Sequence, residues 1–188
     1  MDISPLHLNA WFWWAWIAYW LLAALFAAKT KQAEGVLLRL AHIVPLYFGF
    51  FLIFHDRDYS LIHGRMYHNN GMSYIGNLLT VEGLLFTVWA RVHLGKYWSG
   101  IITLKEGHRL IRTGPYQIVR HPIYTGILLG ALGSALIAAT GDAFVGLALM
   151  TVTLAMKARR EEALLTGEFG DEYRQFRREV RALVPLVY

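Results

Sequence analysis

Residues 114–126, GPYQIVRHPIYTG, contain side chains that could bind a charged ligand. We call this segment the elbow. Arg120 and His121 can carry positive charge, and Tyr116 and Tyr124 offer flat faces and hydroxyl donors. Such a set could hold a carboxylate, a phosphate or an aromatic base. Arginine and tyrosine are also common at membrane surfaces, among lipid phosphates and headgroups. Residue types alone therefore leave a ligand site and an interfacial loop as open alternatives.

Two prolines restrict the backbone of the elbow. Pro115 and Pro122 each lack a backbone donor and fix φ, and each biases the preceding residue away from helix. Pro122 is expected in the first turn of a helix. Arg120 and His121 would then lie at a helix N-terminus, a position that favours anions.

A second group of charged residues lies in 157–176, KARREEALLTGEFGDEYRQF. Lys157 and Glu161 are four residues apart and share one face of a helix, whereas Glu162 falls on another face. Composition favours a solvated helix with ordinary charge pairs. Because the run continues an apolar segment, however, its first turn is expected near the elbow, where a carboxylate beside a membrane-edge cavity could bind a cation. Glycines are expected to end this helix near residue 167, with a short helix after it.

Apolar runs predict that membrane helices carry these groups. The chain of 188 residues is 56% hydrophobic and 16% charged, against ~25% charged in soluble domains. About 20 apolar residues are enough to span a bilayer. The longest run is expected to break at Gly141 and Asp142 into a hairpin. The runs are 8–28, 36–54, 74–94 and 123–158.

The sequence therefore predicts an all-α integral membrane protein with about five transmembrane helices, the last two a helical hairpin, and with cytosolic C-terminal helices. Lys and Arg concentrate between 29 and 39, between 91 and 120, and from 157 onward. The positive-inside rule then places the N-terminus outside and the elbow on the cytosolic side. A single domain is expected over 1–188, with three transmembrane helices in 8–95 and the elbow, hairpin and C-terminal helices in 96–188.

Composition disfavours several other chemistries. The chain has no cysteine, which excludes disulfides and thiol chemistry. Its net charge of +5 lies in loops between apolar runs, a pattern of membrane topology rather than of nucleic-acid binding. The histidines and aspartates of 55–68 match no tight metal site, so a solvated loop is favoured there. Glu82 lies inside an apolar run, where a structural role with Arg91 or Arg39 as partner is favoured.

Two stretches together resemble the isoprenylcysteine carboxyl methyltransferase family. They are GHRLIRTGPYQIVRHPIYTG, 107–126, and EEALLTGEFGDEYRQFRREVRALVP, 161–185. The family pattern is G-x-Y, then R-H-P-x-Y, then a Glu-Glu pair before F-G-x-x-Y, and all three parts occur here in order. The resemblance covers residues 97–185. The family belongs to a wider set of membrane methyltransferases that includes phospholipid N-methyltransferases.

The resemblance implies S-adenosyl-L-methionine as methyl donor, bound between the membrane and the C-terminal helices. It implies catalytic roles for Arg120, near a reacting carboxylate, and for Glu161, which would contact the cofactor. Lys157, the third expected catalytic residue, stands where the eukaryotic enzymes carry a substrate-binding arginine, a role that Arg159 or Arg160 could also fill, and this departure leaves the acceptor open. Backbone amides around Tyr116 and His121, with Arg120, could take the cofactor's carboxylate. The cofactor-binding residues implied are His108, Leu110, Ile111, Tyr116, His121, Pro122, Tyr124, Glu161 and Glu162.

The acceptor implied is a lipophilic molecule that enters from the bilayer, with a prenylcysteine-like carboxylate favoured. A carboxylate is already ionised and needs orientation rather than a base, whereas a phospholipid amine would need a base such as Glu162 or His121. N-methylation of a phospholipid amine is one alternative. An NADPH-dependent membrane reductase of similar fold is another. Membrane lipids are the expected partners, with no nucleic acid and no metal.

Overall fold

Helices form most of the described chain. The computed structural model describes residues 4–26, 30–33, 35–55, 62, 69–99, 103–105 and 109–185, and for 30–33 and 103–105 it describes the backbone alone. Short 3-10 helices cover Gly95–Tyr97 and Gly114–Gln117. The α-helices of these ranges are α1 Pro5–Ala24, α2 Val36–Phe54, α3 Asn70–Leu94, α4 Pro122–Ala138, α5 Gly141–Phe169 and α6 Asp171–Glu179.

A short antiparallel ribbon joins two loops. Its strands are β1, Thr30–Ala33, and β2, Thr103–Lys105, with Ala33 opposite Thr103. The all-α prediction missed this ribbon. Strands of three and four residues carry too little alternation to be recognised in sequence, and these two are paired across about seventy residues of chain.

Three of the described helices are long and apolar enough to cross a membrane. They are Val36–Phe54, Asn70–Tyr97 and Gly141–Phe169, while α4 is apolar but shorter, at 17 residues. Helix α1 has 20 residues and no Asp, Glu, Lys or Arg, and it is rich in tryptophan. The prediction of a helical membrane protein is consistent with these elements, and the count of five spans stays a prediction.

Helices α3 and α4 approach each other through glycines. A Cβ added to Gly83 would lie 2.5 Å from the carbonyl oxygen of Gly126, and one on Gly76 would lie 2.6 Å from that of Gly133. Small residues of this kind let membrane helices pack backbone against backbone. Helix α3 therefore presents one face closely to α4, and large side chains on the opposite face are exposed among the described residues.

A buried polar network fixes α1 against α3 and α4. Asn9 donates to Thr80 at 2.8 Å, Ser134 donates to Asn9 at 2.6 Å, and the Trp13 indole donates to Ser134 at 2.9 Å. All four side chains are buried. Hydrogen bonds between helices help to hold bundles together where water is absent.

The last two long helices form the predicted hairpin. Pro122 is the first residue of α4, as its fixed φ predicts. Helix α4 ends at Ala138 and is followed by Ala139 with φ of +51°, and the Thr140 side chain caps α5 by accepting from the Ala143 amide. Helix α5 ends at Phe169 before Gly170, whose φ is +54°. The predicted helix end near 167 and the short helix after it are thus confirmed within two residues.

Candidate functional site

The elbow is fastened to the end of the chain by backbone hydrogen bonds. The Arg120 amide donates to the Arg181 carbonyl at 2.8 Å, and the His121 amide donates to the Ala182 carbonyl at 3.0 Å. The Tyr116 amide donates within its own turn, to Thr113. These three amides are therefore already used, and the expectation that they take a cofactor's carboxylate is wrong. The amides of Arg120 and His121 are satisfied by chain that comes about sixty residues later, which local sequence does not reveal.

Glu162 is the buried centre of a charge cluster. Its Oε1 lies 2.8 Å from Arg120 Nε, 2.6 Å from Arg120 Nη2 and 3.1 Å from His121 Nε2. Its Oε2 lies 3.1 Å from Arg177 Nε. Arg120 also donates through Nη1 to the carbonyls of Val180 and Arg177. The guanidinium of Arg120 thus holds Glu162 and the C-terminal segment together.

His121 bridges the two adjacent glutamates. Its Nε2 faces Glu162, and its Nδ1 lies 3.5 Å from Glu161 Oε2. Because ionised carboxylates only accept hydrogen bonds, this arrangement favours a ring with both nitrogens protonated. Burial lowers the pKa of His121, but hydrogen bonds and charges of Glu161 and Glu162 raise that pKa by more, so the net shift is upward. His121 therefore acts as a cation between two carboxylates.

Glu161 differs from its neighbour because it faces a cavity. Its side chain is 21% exposed, against 8% for Glu162, and it is Glu161 that lines the cavity. The Tyr124 hydroxyl donates to Glu161 Oε1 at 2.5 Å. Lys157 lies one helical turn earlier, with its Nζ 5.4 Å from the centre of the Tyr124 ring. Glu161 is thus held in place by Tyr124 and His121, and its carboxylate is still accessible to a ligand in the cavity.

The cavity beside Glu161 has a volume of about 1470 Å³. Its polar end is formed by the elbow and α5, and it extends along α1 and α2 to the far end of α4 at Ile137. Most of its wall is aromatic or aliphatic. The residues that form the polar end are Tyr116, Arg120, His121, Tyr124, Lys157 and Glu161. The site thus combines one charged end with a long apolar compartment, a form suited to an amphiphilic ligand.

Leu110 and Ile111 lie beside the elbow rather than in the cavity wall. They pack against a buried cluster that contains Tyr116 and two residues of α6, Tyr173 and Phe176. Burial raises the pKa of Tyr116, which keeps its hydroxyl neutral. Pro122 lines the cavity at the start of α4. His108 lies outside the described residues.

Sequence reasoning did not assign Arg177 to the site. The only sequence signal for Arg177 is that it directly follows Phe176 in α6. Tyr173 and Phe176 are the buried residues of that helix and define the face that packs on the protein. Of the predicted residues, the structure brings together Arg120, His121, Tyr124, Lys157, Glu161 and Glu162.

Comparisons with known proteins include a match to one family model and several relatives that carry the same family name. Residues 76–167 match the sequence profile of the isoprenylcysteine carboxyl methyltransferase (ICMT) family. A protein-S-isoprenylcysteine O-methyltransferase of Schizosaccharomyces pombe is 35% identical over 104 residues, which are 52% of this chain and 43% of that protein. A probable protein-S-isoprenylcysteine O-methyltransferase of Oryza sativa subsp. indica is 24% identical over 172 residues, 90% of this chain and 88% of that protein.

The fold also matches a solved structure. The eukaryotic intramembrane Ras methyltransferase ICMT superposes with a TM-score of 0.55 at 19% identity, over 84% of this chain and 55% of that one. The chain spans about half the length of this protein and of the S. pombe relative. Residues 76–167, which carry the elbow, helix α4 and both glutamates, are thus similar to the isoprenylcysteine carboxyl methyltransferase family.

Proposed function

We propose that this protein transfers a methyl group from S-adenosylmethionine to the carboxylate of a prenylcysteine-like acceptor in the membrane. One observation carries the proposal: Glu161 is accessible at the charged end of a long apolar cavity, with Lys157 beside it, while Glu162 is occupied by surrounding cations. The family comparisons point to the same reaction class.

The residues around Glu161 fit the proposed cofactor. S-adenosylmethionine would supply a methyl group on a positively charged sulfur. Glu161 offers an accessible carboxylate for the ligand's amino group or sulfonium, and the faces of Tyr116 and Tyr124 can take adenine or the sulfonium by cation–π attraction. Leu110 and Ile111 extend the apolar surface behind Tyr116.

Lys157 is the cation that we assign to the acceptor's carboxylate. It lines the cavity one turn before Glu161, and its ammonium can attract an anion without a fixed fork geometry. Arg120, which the resemblance places near the reacting group, uses its guanidinium on Glu162 and on backbone carbonyls. We therefore give Arg120 a positioning role, in which it holds Glu162 and, through it, His121.

The apolar part of the cavity suits an isoprenoid chain. Its wall includes Trp13, Trp16 and Trp20 of α1 and Phe50 and Phe54 of α2. Burial of a long hydrocarbon there would place the attached carboxylate at the charged end and keep bulk water away from it. In this proposal the acceptor enters from the bilayer, five helices span it, the N-terminus is outside and the charged end is cytosolic.

Methylation of a phospholipid amine fits the site less well, because an amine acceptor needs a base. Glu162 is surrounded by Arg120, His121 and Arg177. His121 faces two carboxylates, which favour its protonated form. Neither group is free to accept a proton without loss of these contacts.

The test is calorimetric titration of the full chain, purified in detergent, with S-adenosylhomocysteine and separately with NADPH. We expect saturable binding of S-adenosylhomocysteine by the wild type and at least ~10-fold weaker binding by Glu161→Gln. Glu172→Gln, which changes an exposed glutamate of α6, is the matched control and should bind like the wild type. Binding of NADPH with no binding of S-adenosylhomocysteine by folded protein would refute the proposal.

The acceptor is tested with S-farnesylcysteine carrying a blocked amine, in vesicles that also contain phosphatidylethanolamine. Carboxyl methyl esters release methanol in base, whereas N-methyl groups do not. Base-labile product on the farnesylcysteine supports the proposal. Methylated phosphatidylethanolamine with no ester would overturn the choice of acceptor while leaving the methyl donor in place.

A further inference from the structure

Glu82 lies at the middle of a helix that is long enough to span the membrane. Helix α3 runs from Asn70 to Leu94, with twelve of its residues on either side of Glu82. Its side chain is exposed, and among the described residues no ion pair involves it. Arg91, one partner that the sequence suggested, instead donates to the carbonyls of Ala23 and Gly95, both at 2.6 Å.

An exposed carboxyl at this depth would face hydrocarbon if the chain were alone in the bilayer. Ionisable residues within transmembrane helices are rare, and they almost always face a bundle interior, a cavity or a partner. Glu82 does not line the cavity. It also points away from α4, which packs on the glycine face of α3 at Gly76 and Gly83. A second polypeptide that covers this face would shield the Glu82 carboxyl from hydrocarbon.

The exposed face of α3 has the spacing of a helix–helix seam. Large exposed side chains recur along it with alternating steps of three and four residues, the a and d positions of a heptad pattern. The apolar members of the seam are between 43% and 65% exposed. The seam residues are Ile75, Leu78, Glu82, Leu85, Trp89 and Val92. None of them lines the cavity.

We propose that this seam is the interface of a homodimer, in which α3 packs against α3 of a second copy and the two Glu82 carboxyls hydrogen-bond to each other. A two-fold axis along the membrane normal brings identical residues together at the same depth. A protonated carboxyl both donates and accepts, so Glu82 is complementary to itself. A single polar residue at an a position also fixes the register of paired helices.

A second copy fits this face better than lipid does. Lipid chains offer no hydrogen-bond partner to Glu82, whereas a second copy offers one at the required depth. Each apolar seam residue would likewise meet its own equivalent. Because the seam and the cavity share no residue, the dimer leaves each cavity unchanged.

The test uses the absence of cysteine from the chain. Leu85→Cys places a thiol on the seam, and Val152→Cys places one on α5 at a residue of similar exposure, 57% against 62%. Both variants of the full chain are reconstituted in phosphatidylcholine vesicles and oxidised with copper phenanthroline. We expect a covalent dimer from Leu85→Cys and mostly monomer from Val152→Cys. Equal cross-linking of both variants would indicate random collision and overturn the proposal.

The role of Glu82 is tested in the Leu85→Cys background. Glu82→Ala should raise the dimer dissociation constant about 5- to 30-fold, the change expected for ~1–2 kcal/mol of interhelical hydrogen bonding. Glu82→Gln should keep the dimer, because an amide also donates and accepts. Titration with the S-adenosylhomocysteine probe and the apparent melting temperature check folding. A folded Glu82→Ala that dimerises like the parent would refute the assigned contact, and so would a wild type that is monomeric in vesicles.

Discussion

The charge cluster around Glu162 makes its substitution a sharp test of the site. In Glu162→Gln the negative charge is removed, and Arg120, His121 and Arg177 lose their shared partner. Arg177 is 49% exposed and can return to water, whereas Arg120 and His121 are below 10%. Removal of one partner from a buried ion pair costs ~3–5 kcal/mol. Because glutamine still accepts one hydrogen bond, we expect the free energy of unfolding to fall by about 3 kcal/mol, the lower end of this range.

This loss of stability can be measured as a lower apparent melting temperature. At ~2–4 °C per kcal/mol for a chain of this size, the apparent melting temperature should fall by about 6–12 °C. The seven tryptophans of the chain provide the fluorescence signal, and wild type and variant are compared in the same detergent at one scan rate. Glu161→Gln is the matched control on the adjacent residue. Glutamine can still accept from Tyr124, so we expect a fall of at most ~1 kcal/mol, about 2–4 °C.

The Glu161→Gln and Glu162→Gln variants should also differ in how they bind the ligand. Glu161→Gln is expected to stay folded and lose the ligand, whereas Glu162→Gln is expected to lose stability first. If Glu162→Gln melts within about 2 °C of the wild type, the three cations do not depend on this carboxylate and the reasoning fails. It fails equally if Glu161→Gln proves the more destabilising change.

Three other predictions follow from the structure. Lys157→Met should raise KM for the farnesylcysteine acceptor at least ~10-fold with little change in melting temperature, and Lys157→Arg should restore it, because the assigned role is to attract a carboxylate. The raised pKa of His121 predicts stabilisation that is complete below about pH 6.5 and declines as the pH rises through the folded-state pKa. The melting temperature should therefore fall above pH 6.5 in the wild type and less steeply in His121→Gln. Gly83→Val should lower the yield of monodisperse protein, since a Cβ there would lie 2.5 Å from the Gly126 carbonyl oxygen; Gly167→Val, where a Cβ meets open space, is its control.

Short-range signals in the sequence predicted the elements well. Helix α2 was expected over 36–54 and occupies Val36–Phe54. The restricted φ of Pro122 and the freedom of Gly170 to adopt positive φ likewise marked a helix start and a helix end. These features depend on residues within one or two turns of each other. The ribbon of β1 and β2 was missed because its pairing is long-range.

The family motif correctly brought together the elbow and the two glutamates, but it did not separate the glutamates' surroundings. Adjacent residues on a helix point about 100° apart. Which of the two meets the cavity depends on how α5 is rotated against the elbow. Which of them meets Arg120 and Arg177 depends on the return of the C-terminal segment to residues 119–121. Neither depends on the local sequence around the glutamates.

The sequence by itself determined the membrane class, the helix boundaries near proline and glycine, and a set of polar residues that lie together beside the cavity, because apolar runs, backbone restriction and motif spacing are local properties. Only the tertiary structure decided that Glu162 is enclosed by cations while Glu161 faces the cavity. It also decided that Arg120 binds protein groups and that Glu82 points away from its own bundle. The physical reason is that burial and charge pairing depend on residues of different elements, far apart in the chain, which meet only when the helices pack.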